Sequence, residues 1–150
     1  MADATTIKGG KVRVLLGTLP VDPEDPIVYA APCGFTSKTV TLSKALEDTQ
    51  GVSCTDPDAV SWLLRDAVSL SISVSGEGVL AVESLPAWLA AWKDVDSVPV
   101  KIEVEMPTTL LTFTGNMHVE SMEWTAPNGR RVTANISMQS DGAMADVTTP

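Results

Sequence analysis

Apolar and polar residues alternate one by one in several stretches of this 150-residue chain. The clearest stretch runs from Val68 to Ser75, where every even position is apolar and every odd position is serine. Successive side chains of a strand point to opposite faces, so this alternation predicts a strand with one face on a core. The same alternation, less regular in several places, predicts further strands at residues 11–16, 27–31, 37–42, 98–106, 110–117, 119–125 and 132–139. About eight short strands favour a β-sandwich or a barrel.

Length and composition fit one globular domain over residues 1–150. The chain is 44% hydrophobic and 19% charged, and its net charge is -9. A chain of this length removes enough surface from water for one core. We expect an ordered core over about 11–139, with flexible arms at 1–10 and 142–150, because both ends are small and polar. The start lacks the basic and apolar regions of a secretory signal, and the longest apolar run is too short to span a membrane.

One helix is predicted after Ser84, with Pro86 in its first turn. The apolar stripe of this helix consists of Leu85, Trp88, Leu89 and Trp92. A shorter second helix is predicted over 56–64. The polar connection 43–55 follows the strand predicted at 37–42. It is longer than most loops and is therefore a candidate contact loop.

Catalytic chemistry finds little support in the sequence. His118 is the only histidine, and the cysteines Cys33 and Cys54 lie in no metal-binding or redox motif. The sequence also lacks a phosphate-binding glycine loop and the GxSxG motif of serine hydrolases. We therefore predict no catalytic, cofactor or metal site, and no enzyme. Only one pair of adjacent basic residues, Arg130 and Arg131, is present, so tight binding of nucleic acid through a basic surface is not expected.

The order of several segments resembles a known family. The run from Cys33 to Leu42 leads into the polar connection, which is followed by Trp62, by the strand from Val68 and by Ser75-Gly76-Glu77 before the helix. The stretches 111–117, 119–124 and 131–139 look like the closing strands of the same family. Over about residues 11–139, the chain resembles the major tail proteins that form the tail tube of long-tailed bacteriophages and of gene transfer particles.

The resemblance implies a β-sandwich flanked by one helix, six copies of which join into a ring around a β-barrel lumen. Stacked rings would form a conduit for DNA ejection, and DNA would pass without specific binding because an acidic lumen repels phosphate. The implied partners are further copies of the chain and the tape measure, terminator and baseplate proteins. The implied location is the virion tail, assembled in the cytoplasm of the bacterial host, with no membrane and no cofactor.

The same resemblance implies two sets of site residues. Contacts between subunits or rings are expected at Lys44, Glu47, Asp48, Val52 and Trp62. The lumen or the outer surface is expected to carry the polar strand faces, namely Ser69, Ser71, Ser73, Lys101, Glu103 and Glu105.

Two other interpretations remain open at this point. A β-sandwich module that binds a ligand, such as an adhesin-like domain of a virion or cell surface, has the same strand pattern. Such modules present exposed aromatic residues to their ligand, and here two of the four tryptophans lie on the predicted helix stripe. Another β-rich tail component, such as a terminator or a baseplate ring, is the second alternative.

Overall fold

The computed structural model describes residues 3–18, 22, 24–30 and 35–150. A short 3-10 turn, Gly9–Lys11, precedes the first strand. The strands are β1 (Val12–Thr18), β2 (Val28–Ala30), β3 (Phe35–Gln50), β4 (Leu63–Val79), β5 (Val98–Glu105), β6 (Leu110–Thr125) and β7 (Thr133–Thr149). One helix, α1 (Leu85–Lys93), lies between β4 and β5. The prediction of a mainly β protein with one helix is confirmed.

The strands form one antiparallel sheet with the order β2-β1-β5-β6-β7-β4-β3. The prediction of about eight strands in a sandwich needs correction, since the described strands number seven and share one hydrogen-bonded sheet that is not closed. The two strands predicted at 110–117 and 119–125 are both parts of β6. A register shift between Val119 and Ser121 changes which residues of β6 face the core.

The core lies on one face of the sheet. Its buried members come from β1, β4, β5, β6, β7 and α1, and they are Val14, Leu16, Val74, Trp88, Ala91, Val98, Val100, Ile102, Met117, Val119, Ile136 and Met138. Their even spacing within each strand matches the predicted alternation. Apolar burial of this kind supplies most of the free energy that holds the sheet together.

The helix α1 covers part of this core. Trp88 is buried and its ring meets that of Phe35 edge-on, with 5.6 Å between the ring centroids. Trp92, which the sequence places on the buried stripe, is instead half exposed at 52%. The nine-residue helix is only two and a half turns long, so one end of its stripe extends past the core. Among the described residues, no helix is both long and apolar enough to cross a membrane.

Two further predictions are wrong in the structure. Residues 56–64 do not form a helix, because turns occupy 57–59 and Leu63 already begins β4. The second half of β7 occupies most of the segment predicted as a flexible arm at 142–150, and Thr149 pairs with Leu110. The physical reason is that β6 offers a free edge there, and the Val-Thr-Thr sequence has high strand propensity. The ordered part of the chain therefore extends past residue 139.

Candidate assembly surface

The five predicted contact residues lie together on one hairpin. Lys44, Glu47 and Asp48 belong to β3, and Val52 and Trp62 belong to the connection between β3 and β4. The segment 43–55 is thus not a loop throughout, because β3 continues to Gln50 and only 51–62 is irregular. We call residues 42–72 the arm. All five side chains are exposed, and that of Trp62 is 88% exposed.

The arm is a two-stranded ribbon that leaves the rest of the sheet. Its strands pair with each other up to Gln50 and Leu63. Among the described residues, β4 pairs with β7 only from Ser73 to Val79, so the arm extends roughly 30 Å beyond that pairing at ordinary strand rise. Beyond residue 140, β7 continues to pair with β6 but does not pair with β4 among the described residues. The arm and the second half of β7 therefore form a fork with an unpaired strand edge on each side.

One face of the arm is mostly apolar, and among the described residues it stays largely exposed. Alternate residues of a strand share a face, so Leu70 and Val68 continue the row that begins with the buried Val74. Leu42, on β3, lies opposite Ile72 in the same row. Leu42 is 64% exposed and Leu70 is 76% exposed. The apolar face that makes the core thus continues along the arm into solvent.

The fork encloses an open cleft of about 950 Å³. Leu42 and Leu70 line one side of it, and Phe113, Met144 and Asp146 line the other. At its base the hydroxyl of Ser140 accepts a hydrogen bond from the backbone N–H of Ile72, over 3.0 Å. A mostly apolar cleft between two unpaired strand edges is a surface on which another polypeptide would gain both burial and backbone hydrogen bonds.

The far end of the arm is acidic. Asp48 accepts a hydrogen bond from Nε of Arg65 over 3.0 Å, which joins β3 and β4 across the hairpin. Glu47 and Asp66 lie directly opposite each other, and neighbours of like charge in this position destabilise a strand pair. The connection adds Asp56 and Asp58, so residues 45–67 carry five acidic side chains and one basic side chain.

Near the sheet, from Ser69 to Ser73 of β4, the opposite face of the arm is hydroxylic and uncharged. Ser69, Ser71 and Ser73 alternate with the apolar row and therefore point away from it. Ser71 pairs with Ser43, and Ser73 pairs with Thr41. The same face continues across the sheet, since Ser75 pairs with Ser137 of β7 and Ser137 pairs with Ser121 of β6.

The second predicted polar strip lies elsewhere, on β5, and is charged and ion-paired. Glu103 accepts from Arg13 over 3.0 Å, and Glu105 lies 3.5 Å from the ammonium of Lys11. The ammonium of Lys101 lies 4.5 Å from the centroid of the Tyr29 ring. The structure therefore separates the six predicted lumen residues into a serine row on β4 and a charged strip on β5.

Groups with chemical reactivity are dispersed. Nε2 of His118 lies 3.5 Å from a carboxylate oxygen of Asp141, and both side chains are about half exposed. Cys54 is an exposed free thiol in the connection, while Cys33 lies outside the described residues. In the described part of the chain, no three acidic, histidine or cysteine side chains form a group that could hold a metal ion.

Sequence reasoning missed the length of the arm and the free edges of the fork. The alternation before Val68 weakens at Asp66 and Arg65, and that after Leu42 weakens at Glu47 and Asp48. A ribbon without a core on either side needs no strict alternation, so its strands resemble a polar loop.

Comparison with known proteins gives one family and a consistent set of folds. The sequence model of a family described as phage tail tube protein matches residues 9–146. No curated protein matches the chain. A chain from the tail of an empty gene transfer agent particle, refined with C6 symmetry, superposes with a TM-score of 0.72 at 13% identity, covering 95% of this chain and 99% of that one.

Two other solved structures are similar. A chain from the virion of a native gene transfer agent particle has a TM-score of 0.67 and 16% identity, covering 95% of this chain and 99% of that one. The SPP1 tail tube has a TM-score of 0.61 and 14% identity, covering 96% of this chain and 79% of that one. Because the sequence identities are this low, these similarities establish the fold of the chain and nothing more.

Proposed function

The chain belongs to the phage tail tube protein family, and from this membership we propose that it is a structural subunit that assembles into stacked rings around a conduit for DNA. Six copies per ring are proposed by analogy with the gene transfer agent tail refined with C6 symmetry. The single observation that carries the proposal is the pair of free strand edges at the two sides of one four-stranded part of the sheet.

The first free edge belongs to β6 and the second to β3. Among the described residues, β5 pairs with β6 only from Leu110 to Met117, so one edge of 118–125 is unpaired. β3 ends the strand order, and its outer edge is unpaired along its length in the described chain. Between these edges lie the four strands β6, β7, β4 and β3. Unpaired edges of this length normally find a partner.

The directions of these strands favour a closed ring of copies that are related by rotation. Neighbouring strands in the four-stranded part are all antiparallel, and their number is even. When copies are related by rotation, β3 of one copy therefore runs antiparallel to β6 of the next, and the ladder continues through the whole ring. Barrels of about 16 strands already enclose a water-filled channel, so six four-stranded parts leave a wide lumen.

We assign the lumen to the serine face. The helix α1 and the core cover the other face of the same four strands, so the face with Ser71 and Ser73 is the one left for the interior. Hydroxyl groups do not attract phosphate as cations do, and this composition lets DNA pass without being held. The strip of Lys101, Glu103 and Glu105 lies on β5, outside the four strands, and is assigned to the outer surface.

The proposal extends to partners and location. A tube of this kind lies in the virion tail and meets a tape measure protein inside it, a terminator at one end and a baseplate at the other. Assembly takes place in the cytoplasm of the bacterial host. The role is structural and not enzymatic, which agrees with the family and with the dispersed positions of His118 and Cys54.

Electron microscopy of the purified protein over a range of concentrations tests the proposal. We expect six-fold rings or hollow tubes, and light scattering should show hexamers or larger species. A monomer that persists at millimolar concentration, with specific affinity for a glycan or another small ligand, would favour the adhesin-like module. Rings that never stack would favour a terminator or a baseplate ring.

A further inference from the structure

We propose that Asn128 is a site of spontaneous chemical modification, at which the backbone nitrogen of Gly129 attacks the side-chain amide and converts the asparagine into aspartate and isoaspartate. Both residues lie in the turn between β6 and β7, at 126–132. The chain has three asparagines, and Asn128 is the one that precedes a glycine. The reaction needs no second copy of the chain, so the proposal is independent of the tube function.

The reaction is an intramolecular substitution followed by hydrolysis. The Gly129 nitrogen bonds to the side-chain carbonyl carbon of Asn128, and the bond from that carbon to the amide nitrogen breaks. The hydrogen of the Gly129 N–H leaves with the amide group as ammonia, so a cyclic imide remains. Water then adds to one of the two ring carbonyls and opens the ring to aspartate or isoaspartate. Asparagine is for such reasons a thermally labile residue.

The backbone of the turn leaves the attacking nitrogen accessible. Gly129 has a φ of +80°, and the position that a Cβ would take has no atom of a non-adjacent residue within 4 Å. Among the described residues, neither the Gly129 N–H nor the Asn128 side chain forms a hydrogen bond. The N–H of Arg130 donates to the carbonyl of Pro127 over 3.3 Å, which is long for a hydrogen bond of this type. The peptide unit can therefore rotate into the geometry of ring closure at the cost of one weak bond.

The charges beside the turn favour the attack. Arg130 and Arg131 follow Gly129 directly, and both are exposed. Neither arginine takes part in an ion pair with another described residue. A nearby positive charge stabilises the negative charge that develops on the Gly129 nitrogen as it loses its proton. The sequence around the turn thus supplies both an accessible nucleophile and a favourable electrostatic setting.

The other two asparagines lie in settings that oppose the same reaction. Asn116 and Asn135 are exposed, as Asn128 is, so exposure does not separate the three. However, Asn116 lies inside β6 and Asn135 inside β7, where the backbone pairs with a strand on each side. The residues that follow them, Met117 and Ile136, are 0% and 4% exposed. Their buried side chains hold in place the nitrogen that would have to attack, so these asparagines are internal controls.

Incubation of the dilute, unaltered protein at physiological temperature, followed by peptide mass spectrometry, tests the site. We expect the amide of Asn128 to be lost more than about tenfold faster than those of Asn116 and Asn135, since a difference of that size requires only a small difference in the barrier to ring closure. Isoaspartate should accompany aspartate in the product, and transfer of a labelled methyl group by an isoaspartyl methyltransferase detects it. Equal loss of the three amides, or a product that contains aspartate alone, would overturn the proposal.

Two variants separate attack by the Gly129 nitrogen from simple exposure of the amide. Asn128→Gln keeps an exposed amide on a longer side chain that closes the ring less readily, and should yield no isoaspartate at the turn. Gly129→Ala keeps the asparagine but places a methyl group beside the attacking nitrogen, and should slow amide loss by about tenfold or more.

Alanine is strained at the φ of Gly129, so circular dichroism of Gly129→Ala is recorded in parallel. Amide loss at the unaltered rate in the folded Gly129→Ala protein would contradict the mechanism. Should that variant fail to fold, Asn128→Gln decides in its place, because amide loss there as fast as in the unaltered protein would contradict the mechanism equally.

Discussion

Replacing Leu42 and Leu70 together with serine should separate folding from assembly. Both side chains lie on the apolar face of the arm, where they are 64% and 76% exposed. Full burial of a leucine side chain stabilises by roughly 1.5–3 kcal/mol, so burial of these exposed fractions in a tube contributes roughly 3 kcal/mol per subunit. The rest of each leucine side chain is already buried in the folded monomer. Losing that burial should lower the free energy of unfolding by under about 1 kcal/mol per site.

The two measurements are urea unfolding of the dilute monomer and the critical concentration for sedimentable assemblies. A loss of about 3 kcal/mol per subunit should raise the critical concentration by about a hundredfold. The free energy of unfolding should change by less than about 2 kcal/mol. A doubly substituted protein that assembles at the unaltered concentration would refute the idea that the apolar face of the arm is buried on assembly.

Controls on the other face and in the core complete the experiment. Ser43→Ala with Ser71→Ala changes a facing pair on the serine side of the same arm, and should leave the critical concentration unchanged. Ile102→Ala removes a side chain that is 1% exposed, and should destabilise the monomer by about 2–5 kcal/mol. Comparing these variants shows whether the critical concentration depends on the apolar face of the arm or on the overall stability of the fold.

Three further outcomes are expected. Deletion of Glu47–Val52 should leave a folded, soluble monomer that forms no tubes in electron microscopy, since the deleted end of the arm lies outside the core; normal tubes would remove it from assembly. Trp88→Ala should lower the free energy of unfolding in urea by about 3–5 kcal/mol, because the ring is buried against Phe35. Joint replacement of His118, Cys33 and Cys54 by alanine should leave assembly intact, and loss of a measurable turnover in that variant would argue for an enzyme.

The parts of the fold that pack against the core are those that the sequence predicts well. Val100, Ile102 and Met138 are buried where the alternation places them. Strands with one face in a core must repeat with period two, so their pattern is visible in the sequence alone. The helix beginning after Ser84 can be predicted for a similar reason. Its apolar residues, Trp88 among them, recur at helical spacing, and Pro86 marks the first turn.

The regions that extend past the core are those that the sequence describes poorly. The end of β3 reads Glu47-Asp48-Thr49-Gln50, which resembles a polar loop, yet its backbone pairs fully with β4. The second half of β7 is equally polar around Asp141 and pairs with β6. Backbone hydrogen bonds hold these strands together without a buried side-chain face, so no period-two alternation is required there. Free edges depend on register between distant strands, and no local pattern encodes them.

An exposed apolar ribbon with open edges would ordinarily invite indiscriminate pairing. The arm carries features that oppose such pairing, because a register shift between Ala45 and Leu46 distorts the ribbon and the charges of Glu47 and Asp66 repel strands of similar character. A partner must therefore supply positive charge together with apolar surface before the leucine row can be buried. On this reasoning, high salt should weaken the binding of such a partner to the arm, while ring closure through backbone hydrogen bonds should change less.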